Sequence, residues 1–311
     1  MEIPKISYNG KIREVTIGSG DKTITVGGET CLPFNLFEGK MPHPPIIAME
    51  VPDSAPTDWP EVVTRPFVDV LDNPVNWAAK CIREYGADII CLHMVSTDPN
   101  GMDRGADEAA EVARQVANSI GVPLIVWGTA NEEKDAEVLG RVCDLCQGRN
   151  IAVGPVEEKN YKKIAPAALA HQHTVIASSP IDVNLAKQLN ILLAGIGIPD
   201  NSILIDPTVS GIGYGIEYSY SVMERIRLAA LTQGDEKLQQ PIIVNIGKET
   251  WKTKEAREEM GPSYGDTQKR GVLLEAMSAS LLLIAGADIL VMRHPEAIDI
   301  TRRLISRLME G

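Results

Sequence analysis

The sequence is poor in basic residues, and that scarcity excludes one large class of partner. Its 311 residues contain 30 Lys and Arg against 42 Asp and Glu, which gives a formal charge of -12 at pH 7. A surface that follows a phosphate backbone carries the opposite sign of charge. Nucleic acid is therefore not expected as a partner.

Long apolar runs are also lacking. The most apolar stretch, residues 273–292, is interrupted by Glu275, Gly286 and Asp288, which is typical of a helix followed by a strand and not of a membrane span. Residues 1–5 do not begin a basic segment followed by an apolar run, so no secretory signal is indicated. We expect a cytoplasmic protein with no membrane segment.

Cysteines are few, and they are spread along the chain. Their odd number favours reduced thiols in a reducing compartment over a disulfide framework. Cys143 and Cys146 have metal-like spacing, but they lie in a segment with a helical pattern, and no second pair completes a four-ligand site. We predict no metal site. The five are Cys31, Cys81, Cys91, Cys143 and Cys146.

Several catalytic motifs are missing as well. The sequence has no Gly-x-Ser-x-Gly elbow, no phosphate-binding Walker loop and no His-Glu-x-x-His zinc helix. His171 and His173 have metal-like spacing only if both imidazoles project together, and we interpret them as a solvated connector. Lys248 lies just beyond a predicted strand, so a Schiff-base lysine within a strand is absent too.

What the sequence does contain is a repeat of short apolar runs, each followed by an amphipathic stretch. Hydrophobic residues make up 44% of the chain and charged residues 23%, as in ordinary globular proteins. Strands buried on both faces pair in parallel, and eight right-handed βα units close into a barrel. We predict a TIM barrel; an open doubly wound sheet is the alternative, but it normally has fewer strands and a phosphate loop after the first. The predicted strands cover residues 46–51, 88–95, 124–128, 151–156, 174–178, 202–206, 242–246 and 288–293, and the helices 74–85, 107–120, 132–147, 161–171, 183–194, 217–233, 267–285 and 296–309.

Residues 1–45 do not share this repeat. Residues 11–17 and 22–26 alternate around Gly18-Ser19-Gly20-Asp21 and predict a β-hairpin. We therefore divide the chain into an N-terminal extension with this hairpin (1–45) and the barrel (46–311).

Functional sites of this fold lie in the loops at the carboxyl ends of the strands. Polar residues gather there, for example Glu50 after the first barrel strand, His93 after the second and Arg293 after the last. Loops are solvated in any case, so some of these residues would serve only as hydrogen-bonding or ion-pairing groups at the rim. Others occupy the last positions of the strands, where a buried charge must be paired or functional.

Two of these loops are unusual. Residues 206–215 contain three alternating glycines, which free backbone N–H groups to approach a ligand closely; a flexible turn is the alternative. Residues 247–266 form a long charged connection in which Trp251 and Tyr264 would anchor a visiting partner. The alternative for this second loop is a short surface helix over 254–260.

Four segments together resemble a known family. Residues 14–18, 48–51, 205–215 (IDPTVSGIGYG) and 245–249 (NIGKE) are similar to the small subunit of the corrinoid iron-sulfur protein, also called the delta subunit of the acetyl-CoA decarbonylase/synthase complex in archaea. The resemblance extends over essentially the whole chain, including the extension before the barrel.

This resemblance implies a TIM barrel that forms a heterodimer with a larger subunit. Cobalamin or a related corrinoid would lie at the subunit interface, against the carboxyl face of the barrel. The 4Fe-4S cluster is expected only in the larger subunit. In these anaerobes the cobalt accepts a methyl group from methyltetrahydrofolate through a separate methyltransferase and passes it to acetyl-CoA synthase in the reductive acetyl-CoA pathway, so both enzymes are implied partners.

On this basis we predict the residues that cover the corrinoid. Small residues and free backbone N–H groups suit that task, and a histidine bound to cobalt does not, so His93 and His294 are expected to hydrogen-bond protein or corrin side chains. A stand-alone methyltetrahydrofolate methyltransferase, with Asp206 and Asn245 on the pterin, and an inert scaffold for the larger subunit remain as alternatives. The predicted cofactor-binding residues are Glu50, His93, Thr129, Ser178, Asp206, Thr208, Ser210, Gly211, Gly213, Tyr214, Asn245 and Arg293.

Overall fold

A computed structural model describes residues 4–310 of the chain. Ten strands occur in this part of the sequence. Two form an antiparallel hairpin and eight form a parallel sheet. In chain order they are β1 (Val15–Ser19), β2 (Lys22–Val26), β3 (Ile46–Pro52), β4 (Ile89–His93), β5 (Leu124–Trp127), β6 (Ala152–Val156), β7 (Thr174–Ser178), β8 (Ile203–Asp206), β9 (Ile243–Asn245) and β10 (Ile289–Met292).

Helices connect the strands of the parallel sheet. Several begin after a side chain that caps the first turn; for example, Asn73, Asn131, Asp182 and Asp266 each accept a hydrogen bond from a backbone N–H of the helix they precede. The helices are α1 (Glu61–Thr64), α2 (Pro74–Tyr85), α3 (Ala106–Ser119), α4 (Glu132–Leu145), α5 (Tyr161–Ala170), α6 (Val183–Ile196), α7 (Ile216–Leu231), α8 (Ile246–Thr250), α9 (Lys254–Arg257), α10 (Thr267–Ala285) and α11 (Pro295–Glu310).

The parallel sheet closes on itself. Its strand order is β8-β7-β6-β5-β4-β3-β10-β9, and a parallel bridge between Ile205 and Ile242 joins the two ends. Strand residues are buried on both faces, because one face lines the barrel interior and the other packs against helices. The predicted TIM barrel is confirmed, with all eight predicted strands present.

The hairpin packs at the amino end of the barrel. Val15, Ile17 and Val26 join Ile243 and Ile289 in one buried cluster inside the barrel. Gly18 N–H donates to the carbonyl of Asn150, just before β6, at 2.8 Å. The hairpin therefore closes the end of the barrel that lies opposite the predicted site.

Strand β1 begins four residues later than predicted. The regular ladder stops between Val15 and Val26 because Gly27 and Gly28, each with a φ of 89°, interrupt it and because the backbone of residue 13 bonds outside the hairpin. Ile12 N–H donates to the carbonyl of Glu29 at 2.9 Å, and Arg13 N–H to that of Gln239 at 2.7 Å. Ser19 pairs with Lys22, so the turn is the two-residue loop Gly20-Asp21.

One interpretation of a local segment was wrong, and an alternative offered for another segment was right. His173 is buried, not solvated: its Nδ1 accepts the N–H of Ile151 at 3.2 Å, and its Nε2 lies 3.0 Å from the carbonyl of Cys143. The connection 247–266 contains two short helices, because α8 starts directly after β9 and α9 follows it, which bears out the alternative of a short helix in this segment. Helix α9 ends at Arg257, within the short helix proposed over 254–260.

Candidate functional site

A buried ion-pair cluster fills one side of the mouth at the carboxyl end of the barrel. Glu50 at the end of β3 lies next to Arg293, which follows β10, because these two strands are neighbours. Nε and Nη2 of Arg293 donate to Oε2 and Oε1 of Glu50, each at 2.8 Å. His93 of β4 donates through Nδ1 to the same carboxylate at 2.7 Å. This geometry is the forked arrangement in which guanidinium and carboxylate groups bind most strongly.

The charge of Glu50 is stabilised by these neighbours. Burial opposes ionisation, but the Arg293 guanidinium and the His93 hydrogen bond outweigh it and hold the pKa of Glu50 far below its usual value. The Arg293 guanidinium also stacks over the ring of Trp59, at 4.2 Å from the ring centroid. Three of the predicted cofactor-binding residues, Glu50, His93 and Arg293, are thus bonded to one another.

A second buried carboxylate fixes the chain beyond β10. Glu275 of α10 accepts the backbone N–H of Arg293 at 2.7 Å and of His294 at 3.1 Å, and the indole N–H of Trp251 at 2.9 Å. Burial raises the pKa of Glu275 to about 7. Trp251 is 1% exposed, so the prediction that it anchors a partner was wrong. Tyr264, the other predicted anchor, is 54% exposed.

His294 is also bonded within the chain. Its Nδ1 accepts the N–H of Glu296 at 3.2 Å, and its ring lies 5.9 Å from that of Trp251, centroid to centroid. His294 and His93 are both buried, and each has a ring nitrogen bonded to a protein group. Both histidines at the mouth are therefore held by the protein itself.

The opposite side of the mouth contains a cavity of about 90 Å³, lined by residues at or just after the ends of strands β5 to β9. Asp206 lies at its base: Ser178 Oγ donates to Oδ2 at 2.7 Å, and Thr208 N–H donates to Oδ1 at 3.0 Å. Burial raises the pKa of Asp206 to about 6. Lys248 lines the same cavity, and burial lowers the pKa of its ammonium group.

Asn245, the last residue of β9, completes this cavity. Its Oδ1 accepts the N–H of Lys248 at 3.2 Å and so caps α8. Its Nδ2 is buried and has no hydrogen-bond partner among residues 4–310. One cavity is therefore lined by four residues that were predicted separately at or after the ends of three strands, namely Ser178, Asp206, Thr208 and Asn245.

The loop between β8 and α7 forms the outer rim of that cavity. Thr208 has a φ of 58°, and its hydroxyl donates to the carbonyl of Ser179 at 2.8 Å. Gly211 accepts the N–H groups of Tyr214 at 2.9 Å and Gly215 at 2.6 Å, which makes a tight turn. The side chain of Tyr214 at the turn is 89% exposed.

The other predicted residues have different surroundings. Ser210 N–H donates to the hydroxyl of Ser219 at 3.2 Å, which ties the loop to α7. Gly213 has a φ of 93° and, like Tyr214, faces solvent. Thr129 is not among the residues that line the cavity, and its N–H and hydroxyl donate to Asp135 at 2.9 and 3.2 Å.

Comparison with known proteins decides the family. A sequence model described as "CO dehydrogenase/acetyl-CoA synthase delta subunit" matches residues 14–307. The acetyl-CoA decarbonylase/synthase complex subunit delta of Archaeoglobus fulgidus is 36% identical over 318 residues, with 98% of this chain and 70% of the relative covered. The chain belongs to this delta-subunit family. The same subunit of Methanopyrus kandleri is 36% identical, covering 94% of this chain and 72% of the relative.

Solved structures add the fold to this family assignment. The 7,8-dihydropteroate synthase of Vibrio fischeri superimposes with a TM-score of 0.61 at 11% identity, covering 96% of this chain and 99% of that chain. The dihydropteroate synthase of Xanthomonas albilineans with 4-aminobenzoic acid gives a TM-score of 0.60 at 14% identity, covering 96% and 98%. At these identities the likeness shows that this delta-subunit family member shares their barrel.

Beside the cavity of this delta-subunit family member runs a larger groove of about 400 Å³. The two share Glu157, Ser178 and Thr208 in their walls. Glu132, Glu157 and Glu158 line the groove and make it acidic. Ser179 also lines it, and the Ser179 hydroxyl is buried with no partner among the residues described.

Sequence reasoning missed three buried carboxylates that shape the mouth. Asp53 accepts both the backbone N–H, at 2.8 Å, and the hydroxyl of Ser96. Asp135 holds the turn at Thr129, and Glu275 holds that at Arg293. Of the three, only Glu275 could have been recognised from the sequence, because it is a charged residue flanked by apolar residues in the stretch 273–277.

Two general properties follow from the described part of the chain. No helix within residues 4–310 combines the length and the apolarity that crossing a membrane requires. Across the same residues no three His, Cys, Asp or Glu side chains come together as a metal-binding group, and all five cysteines are buried free thiols.

Proposed function

We propose that this chain is the delta-type subunit of an acetyl-CoA decarbonylase/synthase complex and covers a methyl-carrying corrinoid with the mouth of its barrel. The corrinoid, cobalamin or a related compound, would lie between this mouth and a larger subunit that holds the 4Fe-4S cluster. When bound, the cobalt supplies a nucleophile that accepts and releases a methyl group. Methyltetrahydrofolate methyltransferase and acetyl-CoA synthase are the proposed donor and acceptor partners.

The residues at the mouth fit such a cofactor. The observation that carries the proposal is the exposed turn at Gly213 and Tyr214, which stands beside the mouth while its base is tied to Ser179 and Ser219. An exposed aromatic ring and a glycine offer flat surface and free backbone to a large planar ring.

The two histidines at the mouth are held by protein groups. Nδ1 of His93 donates to the Glu50 carboxylate, and Nδ1 of His294 accepts the backbone N–H of Glu296. These contacts support a cover that would hold a corrinoid through its ring and side arms.

The experiment is a visible absorption spectrum of the chain purified alone and of the pair co-expressed with the larger subunit, under anaerobic, corrinoid-replete conditions. We expect corrin bands in the pair, and a lower corrin content in a Tyr214→Ala pair. Phe37→Ala is the matched control, because Phe37 is 50% exposed but lies in the N-terminal extension. A colourless wild-type pair would overturn the proposal, and a coloured pair unaffected by Tyr214→Ala would remove the role of the loop.

One observation favours a second function. Asp206 and Asn245 face one cavity, as the alternative of a stand-alone methyltetrahydrofolate methyltransferase requires. In that case the isolated chain should bind tetrahydrofolate, measured by calorimetry, without the larger subunit. A pair that forms without either ligand would instead indicate a scaffold.

A further inference from the structure

The cavity at Asn245 presents a hydrogen-bond donor with nothing to bind. Asn245 is 6% exposed, and its Nδ2 has no acceptor among the described residues. A buried donor without an acceptor has lost its hydrogen bonds to water and gained none in return, so native proteins rarely leave one without a ligand or a water.

The orientation of this amide is fixed by the helix that follows it. Oδ1 of Asn245 accepts the backbone N–H of Lys248. Rotating the amide by half a turn would set two donors against each other, so the NH₂ group must face the cavity. The direction in which this donor points is therefore fixed by the fold of β9 and α8.

An acceptor lies on the other wall. Each oxygen of Asp206 accepts one hydrogen bond, from Ser178 and from Thr208, and a carboxylate oxygen accepts about two. Asp206 can therefore take at least one further donor, and the cavity pairs a free donor with a free acceptor. A neutral group with a carbonyl beside an N–H satisfies both at once.

We propose that the Asp206–Asn245 cavity binds a carboxamide-type group, whose carbonyl accepts from Asn245 Nδ2 and whose N–H donates to Asp206. The size of the cavity supports this class of ligand. Its volume of about 90 Å³ is smaller than that of an engineered apolar cavity of ~150 Å³ that binds benzene. A carboxamide fits inside, whereas a larger heterocycle would extend into the adjoining groove.

Two molecules could supply this group. The first is the corrinoid of the proposed function, so this part of the inference rests on that function. A corrin ring carries carboxamide side arms, one of which would enter the cavity as the ring lies over the mouth. A free lactam ring, such as that of a pterin, presents the same carbonyl and N–H. The chemistry at Asn245 is common to both.

The test is Asn245→Asp, which keeps the oxygen that caps α8 and replaces the free donor by an acceptor. Asn131→Asp is the matched control, because Asn131 Oδ1 caps α4 in the same way, from the N–H of Lys134 at 3.0 Å, and does not line the cavity. In the complex with the larger subunit, equilibrium dialysis read by absorbance gives the affinity for cobalamin. We expect Asn245→Asp to weaken it by at least about tenfold, the effect of one unsatisfied buried partner, with Asn131→Asp unchanged.

Two further ligands separate the sources. The first is a set of cobalamin derivatives in which a different side-arm amide is hydrolysed to a carboxylate in each. One of these derivatives should bind the wild-type complex more weakly than cobalamin does. If the wild-type complex takes up no corrinoid, the proposed function fails, but the isolated chain still tests the cavity with tetrahydrofolate. Binding of that lactam, weakened by Asn245→Asp, would assign the cavity to a free heterocycle. If neither cobalamin nor tetrahydrofolate distinguishes Asn245→Asp from wild type, the donor meets only water and the proposal is wrong.

Discussion

The Glu50–Arg293 pair should be among the most strongly coupled pairs of side chains in the molecule. Both residues are almost fully buried, and two hydrogen bonds of 2.8 Å join them. Arg293→Met removes the guanidinium and leaves the Glu50 carboxylate in the interior with His93 alone. Removing one partner of a buried ion pair typically costs about 3–5 kcal/mol, and we expect a loss of this size in the free energy of unfolding.

The double variant tests the reasoning more sharply than either single one. Glu50→Leu leaves Arg293 with the Trp59 ring, a contact that retains part of its stabilisation. Glu50→Leu/Arg293→Met buries no charge at this site, so it should cost less than the sum of the two single changes by at least about 2 kcal/mol. Urea unfolding at pH 7, followed by circular dichroism, measures all three.

The pH dependence gives an independent check. The pKa of Glu50 is depressed in the folded chain, so its contribution to stability is present above the unfolded value of 4.5 and is lost as pH falls below it. The difference between wild type and Arg293→Met should therefore shrink below about pH 4.5. Arg303→Met, at an exposed ion pair with Asp299 on α11, is the control and should leave the unfolding midpoint unchanged. Additive single changes, or an Arg293→Met loss below about 1 kcal/mol, would refute the account.

Two more predictions concern stability away from the mouth. Burial and, to a smaller extent, the charge of Asp288 raise the pKa of Glu29 to about 9. The stability contributed by protonated Glu29 is therefore complete below the unfolded pKa of 4.5 and is lost as pH rises towards 9. Between pH 5.5 and 8.5 urea unfolding should show wild type losing stability relative to Glu29→Gln by up to about 1.4 kcal/mol per pH unit, and parallel pH profiles would contradict this. Gly271→Ala places a methyl 2.6 Å from the Trp251 ring and should destabilise the protein by about 1–3 kcal/mol. Gly140→Ala, with open space in α4, is the control and should stabilise it by up to about 1 kcal/mol. Equal shifts of the two melting temperatures would show that the Trp251 ring moves aside at little cost.

The fold could be predicted because its signals are local. Each barrel strand is a short apolar run buried on both faces, and several helix patterns follow their strand after one short turn, as in Ala152–Val156 and Tyr161–Ala170. The hairpin boundary was less accurate, because residue 13 bonds to residue 239, which lies far away in sequence, and because Gly27 and Gly28 interrupt the ladder before residue 12 pairs with residue 29. Backbone pairing of that kind leaves no periodic pattern in the chain.

The site could be located from sequence, but its pairings could not. Position at a strand end placed Glu50, Arg293, Asp206 and Asn245 at the mouth. Glu50 and Arg293 are 243 residues apart, and only the closure of the barrel between β3 and β10 brings them into contact. Sequence alone therefore did not distinguish residues that satisfy one another from those that are open to a ligand. Trp251 failed for the same reason, because the contacts that bury it come from α10.

The two halves of the mouth differ in whether their polar groups already bond one another, and this difference limits where a ligand can bind. On the side of β3, β4 and β10, Glu50, His93 and Arg293 satisfy one another, and a ligand would have to break a buried ion pair to bind them. On the side of β7, β8 and β9, Asn245 retains a free donor and the turn at Tyr214 is exposed. A large planar ligand that spans the mouth, as proposed, would therefore gain its recognition energy on the second side and would be oriented by its edge over β8 and β9. The first side would serve it as a rigid, charge-neutralised floor.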